Sequence, residues 1–392
     1  MSALPAPTGR DAGLADAVIA WLAPRFDEME ALLQRLVNMD SNSFDKAGTD
    51  RVGEAIAAEL QAGGIEVTRL AKPTYGDVFR AEVPGRAGNA HALLLGHRDT
   101  VFPKGTPATR PYARVGDLAY GPGVCDMKSG LVVNIFALRA LKAVGGLSFP
   151  VVALFTGDEE IGSPEGRQEI EAEARGARAV FNTEPGRISG NVVTGRKGGC
   201  SFVISVKGRA AHSGVNFADG ASAISALARK IVKLDALTDL ATGITTNVGV
   251  VRGGITYNTV AGAAEAELDL RFVTPAQQPK LMAAISDIIA AEEVPGTTAT
   301  LVARPGFPPL EEKYAAPLFA LYGPTARALG FKVEGEFTGG CADSGFTASL
   351  GVPTLCGLGP VGGRAHTDEE FCRLDTLVPR TQALAATLCR LA

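Results

Sequence analysis

The order of apolar and polar positions divides the chain into two kinds of pattern, one nested inside the other. From about 13 to 38, Leu14, Val18, Leu22, Met29, Leu33 and Leu36 recur at helical spacing, with a kink expected at Pro24. A second helix, about 48 to 63, precedes strand-like Glu66–Leu70 and Val78–Val83. Two later runs, Ala92-Leu93-Leu94-Leu95 and Val151-Val152-Ala153-Leu154-Phe155, contain no polar position. Such runs suit strands covered on both faces, as in the middle of a parallel sheet. Between them lies a Gly/Pro-rich loop, Tyr120 to Ser129, and a helix with Leu131, Ile135, Leu138 and Leu141 on its inner side and Gly145-Gly146 at its end. The stretch 179–185 supplies one more strand. Strands alternating with helices predict a mostly parallel α/β layer flanked by helices.

Near residue 200 the period changes. Phe202, Ile204 and Val206 alternate with polar neighbours, as in a half-solvated strand. A helix through Ile224, Leu227, Ile231 and Leu234 follows, then strands at about 245 to 252 and 265 to 273. In the second of these, Ala266, Leu268, Leu270 and Phe272 alternate against Glu267, Asp269 and Arg271. A helix at about 275 to 292 and a strand at about 299 to 304 complete the order β-α-β-β-α-β, the ferredoxin-like arrangement. The first pattern then resumes to the end of the chain. The expected organisation is therefore a discontinuous α/β domain, 1–196 and 307–392, with a ferredoxin-like α+β domain, 197–306, inserted into it.

Composition narrows the function classes. The 392 residues, 46% hydrophobic and 20% charged, are enough for two globular cores. Thirty-eight basic against 42 acidic residues give a net charge of −4 with no basic block, which argues against nucleic acid or an anionic membrane as partner. Residues 1–11 lack the apolar core of a signal peptide, and nowhere do about 18 apolar residues run together. A cytoplasmic protein is expected. The six cysteines are scattered with no C-x-x-C pair, which fits reduced thiols better than a disulfide scaffold.

The candidate chemistry gathers where strands end. After Val151–Phe155 and a Thr-Gly turn come Asp158, Glu159 and Glu160, three carboxylates that repel one another and lose hydration unless a cation compensates. Taken alone, a solvated acidic turn is the simpler reading. The other short apolar strand runs into His97-Arg98-Asp99, where alternation puts His97 and Asp99 on one side, so that Asp99 could orient the imidazole. Asp126 and Glu184 follow other elements of the α/β layer, and His366 lies in the loop Gly362–Glu369. Open α/β sheets bind ligands at this end of their strands. Two histidines and three carboxylates suffice for two zinc ions if one carboxylate bridges.

Five segments carry a resemblance: Gly96-His97-Arg98-Asp99-Thr100-Val101, Gly121 to Gly130, Thr156 to Ser163, Glu184-Pro185 and Ala365 to Glu369. Together, in register from about residue 90 to 370, they resemble the dinuclear zinc carboxypeptidase/aminoacylase family, which includes glutamate carboxypeptidases, acetylornithine deacetylase and succinyl-diaminopimelate desuccinylase. The resemblance implies two Zn2+ ions, with Co2+ or Mn2+ as substitutes. It places His97, Asp126 and Glu184 on one ion, Asp126, Glu160 and His366 on the other, and a cis Asp126–Met127 peptide. It implies that Asp99 orients His97 and that Glu159 is the general base and acid. On the inserted domain it implies that His212 stabilises the oxyanion, often from the other subunit of a dimer, and that Asn258, Arg271 and the backbone at Gly340 hold the substrate. Glu184 sets the chain apart from the carbamoyl-hydrolysing branch.

The segments Phe337 to Phe346 and Gly357 to Gly363 look most like the glutamate carboxypeptidase branch. The expectation is a metal-dependent hydrolase of an amide next to a free carboxylate, acting on small N-acyl or peptidyl amino acids, releasing glutamate and dimerising through the inserted domain. An N-acyl-amino-acid deacylase is the alternative within the class. A catalytically silent relative would lack Glu159 or a ligand, and this chain has them all.

Overall fold

In the computed structural model, residues 11, 13–87 and 90–391 are described. The reading of the first ten residues as lacking an apolar leader lies outside them. The described chain divides into two compact units. The first runs to Gly195 and takes in Leu310–Thr338 and the chain from Ala342 onward. The second is Arg196–Pro309 with the short return Gly339–Cys341.

The first unit opens with helices α1 (Ala15–Leu22), α2 (Phe26–Val37) and α3 (Lys46–Ala62). The break between α1 and α2 falls at Ala23-Pro24-Arg25, where the expected kink is a full interruption, because proline lacks the N–H that would continue the ladder. Strands β1 (Glu66–Leu70), β2 (Val78–Val83) and β3 (His91–His97) follow, then α4 (Ser129–Ala143), β4 (Val151–Thr156), α5 (Gly166–Ala174) and β5 (Ala177–Asn182). Every residue of β3 and β4 is buried, as their unbroken apolar runs require.

The second unit contributes β6 (Gly198–Lys207), α6 (Ala223–Asp235), β7 (Thr245–Gly253), β8 (Ala263–Phe272), α7 (Gln277–Ala290) and β9 (Thr298–Ala303). Its antiparallel sheet has the order β7-β8-β6-β9. Phe202, Ile204, Leu268, Leu270 and Phe272 pack there against Leu227, Leu234 and Ile285 of the two helices. The β-α-β-β-α-β order is the ferredoxin-like one, and the edge strand β7 has one neighbour.

Back in the first unit, α8 (Glu312–Ala328), β10 (Thr354–Leu355) and α9 (Leu377–Cys389) complete the core. The main sheet has the order β1-β2-β4-β3-β5-β10. From β4 to β10 neighbours are parallel, while β1 and β2 run antiparallel at one edge. Strand β3 sits between β4 and β5, so the connections after β3 and after β4 lead to opposite sides of it. This is a topological switch point, where a crevice opens at the carboxyl ends of the strands. His97 closes β3, the Asp158–Glu160 turn follows β4, and Glu184 stands two residues beyond β5. Among the described residues no helix is long and apolar enough to cross a membrane.

Candidate metal centre

Three adjacent parallel strands thus deliver one imidazole and two acidic segments to the same crevice. The remaining pieces arrive on loops. Asp126 lies in the irregular turn Val124–Lys128 ahead of α4, and its peptide bond to Met127 is cis. His366, in the loop between the short strands Gly362–Gly363 and Phe371–Arg373, is held at φ 66°, a left-handed conformation that a non-glycine residue adopts at a cost of about 1 kcal/mol or more.

Ligand atoms of His97, Asp126 and Glu160 all lie within 4.8 Å of one another. Asp126 occupies the middle: Oδ1 is 3.2 Å from His97 Nε2 and Oδ2 is 3.5 Å from His366 Nε2. His366 Nε2 is also 3.1 Å from Glu160 Oε2, and His97 Nε2 is 3.6 Å from Glu184 Oε1. Glu159 Oε2 stands 3.9 Å from His97 Nε2. Two ligands about 2.1 Å from one tetrahedral ion are about 3.4 Å apart, so these separations suit donors sharing cations. With each oxygen of Asp126 facing a different imidazole, the donors form two sets joined at one carboxylate.

The electrostatics point the same way. Burial pushes Glu160 up to about 7, with the charge of Asp126 adding to it. Glu160 Oε1 is buried without a hydrogen-bond partner. Burial also drives Glu159 well above the usual carboxylate range; His97 opposes this, while Glu184, Asp343 and Glu160 reinforce it. Hydrogen bonds donated to Asp126 and Glu160 lift His366 to about 10. For His97, burial disfavours the charged ring but is outweighed by Asp126 and Asp99, and the result lies well above the ordinary imidazole value. A buried knot of carboxylates, short of cationic partners and holding an unsatisfied oxygen, fits a divalent-metal site.

Around this knot several groups fix geometry. Asp99, fully buried, accepts from Ser43 Oγ at 2.7 Å and from the backbone N–H of Glu159 and Glu160, both at 3.1 Å. His97 Nδ1 is 3.1 Å from the carbonyl oxygen of Asp99 and 3.4 Å from its Oδ1. The expected orientation of His97 by Asp99 therefore involves backbone as well as side chain, and the carboxylate also ties β3 to the turn after β4. Asp158, the first carboxylate of the acidic turn, is buried; its Oδ2 accepts from the N–H groups of Glu165 and Gly166 at the start of α5.

Two residues escaped the sequence reading. Asp343, raised to about 7 by burial, accepts from the Ser163 hydroxyl and adds negative charge behind Glu159. Glu370, four residues after His366, accepts from the backbone N–H of Gly123 at 3.0 Å, Cys125 at 2.8 Å and Asp126 at 2.9 Å. It clamps the loop bearing Asp126 to the loop bearing His366. The sequence carries no local signal for it: Asp368, Glu369 and Glu370 are three acidic residues in a row, of which Glu370 alone is buried.

The structure places the other expected site residues on the second unit. His212 is exposed, and its Nδ1 accepts from the N–H groups of Gly214 at 3.1 Å and Val215 at 3.2 Å. In the neutral ring the proton then sits on Nε2, which becomes an outward donor. The His212 segment pairs with the Asn258 loop through the His212–Thr259 bridge and Ser213 Oγ to Asn258 O at 3.0 Å. Arg271 Nε is bound to Asp269 at 2.9 and 3.1 Å, and Nη1 reaches Cys341 Sγ at 2.8 Å. The carbonyl of Gly340 accepts from Arg196 at 3.2 Å, so the Gly339–Cys341 return is fastened by two arginines.

An α/β sheet with an acidic, histidine-containing crevice at its switch point and an inserted ferredoxin-like unit defines a metal-dependent peptidase or amidohydrolase. The chain belongs to the peptidase family M20/M25/M40, whose model matches residues 93–390. It is 28% identical over 374 residues to carboxypeptidase G2 of Pseudomonas sp. (strain RS-16), covering 92% of this chain and 89% of that one. It is 32% identical over 284 residues to an acetylornithine deacetylase of Myxococcus xanthus, covering 68% and 72%. An M20 family metallo-carboxypeptidase of Sulfolobus solfataricus superposes with a TM-score of 0.78 at 20% identity, over 93% of this chain and 99% of that one. The chain is accordingly a hydrolase of that family.

Proposed function

We propose that this hydrolase uses two zinc ions to cleave an amide next to a free carboxylate, releasing a C-terminal amino acid, glutamate foremost, from N-acyl or peptidyl substrates. The observation that carries the reading is Asp126, whose two oxygens face two different imidazoles within 3.5 Å. His97, Asp126 and Glu184 would hold one ion; Asp126, Glu160 and His366 the other. Bound there, the metal pair supplies Lewis acidity toward the scissile carbonyl and an acidified water.

The chain's own groups do the rest. Glu159, whose proton affinity is raised by burial and by neighbouring carboxylates, takes a proton from the attacking water and returns it to the departing amine. Asp99 fixes His97 and the Glu159-Glu160 backbone together. The Nε2–H of His212 donates to the developing oxyanion. Arg271, with Asn258 and the backbone at Gly340, binds the carboxylate of the leaving amino acid, a task suited to a planar bidentate cation. The similarity to carboxypeptidase G2 across 92% of the chain supports release of a C-terminal amino acid. The similarity to acetylornithine deacetylase supports N-acyl-amino-acid deacylation as the second reading.

The inserted domain, 197–306, is assigned as lid and dimerisation surface. The free edge of β7, the exposed Val251, Ile255 and Tyr257, and a groove of about 530 Å³ lined by both apolar (Phe217, Ile224, Val260) and hydroxyl (Ser222, Thr256) side chains support a homodimer built on it. The six free thiols support a cytoplasmic setting. Replacing Glu159 with Ala, with hydrolysis of acyl- and glutamyl-amino acids and zinc content measured together, tests the mechanism. Two retained zinc ions with activity reduced at least a hundredfold are expected, and full activity in the variant overturns the assignment.

A further inference from the structure

The first unit holds a second concave site, on the small sheet formed by Ala113–Val115, Leu118–Tyr120, Gly362–Gly363 and Phe371–Arg373. The two faces of this sheet differ. On one, Ala119 and Cys372 pair with each other and are fully buried. A Cβ on Gly362, the other partner of Cys372, would stand 2.5 Å from Cys125 Sγ, so this face rests on the turn that carries Asp126. On the opposite face Leu118, Tyr120 and Phe371 are only half-buried, and the rings of Tyr120 and Phe371 pair across the strands, centroids 6.5 Å apart at 48°. With Arg364, Asp368 and Glu369 they line a cavity of about 530 Å³, a size ordinary for a small-molecule site.

The rim carries both signs of charge. Arg364 pairs with Glu369, yet its side chain stays 59% exposed. Asp368 is 90% exposed, and its ion pair to Arg110 Nε is long, at 3.6 Å. Arg364 at φ 56° and His366 at φ 66° are both left-handed non-glycine residues, each costing about 1 kcal/mol or more, and such strain clusters at ligand clamps and switches.

We propose that this cavity binds a free α-amino acid with an apolar side chain, and that the bound molecule steadies the metal centre. The apolar side chain lies on Leu118, Tyr120 and Phe371. The ammonium faces Asp368 beside the aromatic rings, and the carboxylate takes the Arg364 fork. A wholly apolar ligand would strip water from the charged rim without replacing its partners, and a ligand of one charge would satisfy one side of it only.

Coupling to the metal centre follows from the path of the chain. Arg364 and Asp368 flank His366, two residues to each side. Phe371 follows Glu370, whose carboxylate holds the Asp126 N–H, and Tyr120 leads into the loop that carries Asp126. A ligand in the cavity therefore bridges the two loops that supply these donors without touching either. Linkage is reciprocal, so a ligand that favours the metal-holding arrangement slows loss of metal. This coupling rests on the metal-centre reading above; binding to the cavity does not.

Isothermal titration calorimetry of the zinc-reconstituted chain with L-phenylalanine, phenethylamine and 3-phenylpropionate tests the site. L-phenylalanine should bind at least tenfold more tightly than the other two, and Asp368→Asn and Tyr120→Leu should each weaken it about tenfold. Asp368→Asn changes an exposed side chain, so its arm stands even where Tyr120→Leu fails to fold. Absence of binding overturns the site, and so does binding that is unchanged in Asp368→Asn and lost in Arg271→Ala, which places the amino acid at the product position. Release of zinc to a chromogenic chelator should slow at least threefold under saturating L-phenylalanine in the native chain and not in Asp368→Asn. An unchanged rate with L-phenylalanine bound overturns the coupling. A chain that binds L-phenylalanine but retains no zinc overturns the metal-centre reading and leaves the cavity site standing.

Discussion

Glu370 offers the sharpest quantitative test of how the centre is held together. Its side chain is fully buried and accepts three backbone N–H bonds between 2.8 and 3.0 Å from Gly123, Cys125 and Asp126. Burial pushes its carboxyl up to about 7, which shows that desolvation consumes part of what those bonds return. Each bond is therefore valued at about 1 kcal/mol net, the figure for neutral partners, and not at the 1.5–3 kcal/mol of fully charged ones. Glu370→Ala, which strips all three, should cost about 3 kcal/mol. Glu370→Gln keeps an oxygen for Cys125 and Asp126 but turns an amide N–H toward that of Gly123, so about 2 kcal/mol is expected.

The functional consequence follows from which atoms are released. The Asp126 N–H belongs to the residue whose carboxylate joins the two donor sets, so a slackened loop should weaken metal binding before it affects substrate contacts. The assay is urea unfolding of native chain, Glu370→Gln and Glu370→Ala at equal m-value, with zinc stoichiometry and kcat and KM on the same samples. The graded loss of stability should be accompanied by zinc content below two per chain and a kcat reduced more than tenfold at little-changed KM. A Glu370→Ala chain as stable as the native one, binding two zinc ions, would refute the clamp.

Two further outcomes are expected. Asp77 lies at about 2: burial alone would raise it, but Lys46, the Lys72 N–H and Arg69 overcome that. Because its folded-state value is depressed from 3.8, the unfolded chain binds the extra proton, and the stabilisation, about 2 kcal/mol, is present above pH 4 and lost as pH falls from about 4 to about 2. Asp77→Asn should lower neutral-pH stability by about that amount and flatten the acid limb of a stability-against-pH curve; an unchanged limb would count against it. Gly130, at the start of α4, has no room for a side chain: a Cβ would lie 2.0 Å from the carbonyl oxygen of Thr183, next to Glu184. Gly130→Ala should therefore cost about 3 kcal/mol or more in chemical denaturation, and a cost under about 1 kcal/mol would show that the backbone there yields.

How much of this could be read from the sequence depends on what each residue does. Strands β3 and β4 were legible because a strand covered on both faces leaves no polar position, and the charges that follow it stand out. Strand β8 was legible for the opposite reason: Ala266, Leu268 and Leu270 face the helices while Glu267, Asp269 and Arg271 remain half exposed. His97, Glu160 and Glu184 could be placed together because the carboxyl ends of neighbouring strands converge in such a sheet, whereas Asp126 and His366, which arrive on loops, were joined to them by the resemblance of their segments. Residues whose work is to hold backbone left almost no trace. Glu370 sits beside Asp368 and Glu369, both exposed, and three N–H groups more than 240 positions earlier decide that it alone turns inward. Asp158 looked like the spare member of an acidic triplet, yet it caps α5 from inside the fold. Gly339–Cys341 reads as part of the first unit by position, but Arg196 and Arg271 bind it into the second. The common cause is that a backbone donor has the same identity at every residue, so a side chain recruited to satisfy it is specified by tertiary path and not by a local pattern. Chemistry at this centre is thus written in residue types, whereas the precision of its geometry is written in the loops that those buried carboxylates and arginines tie down.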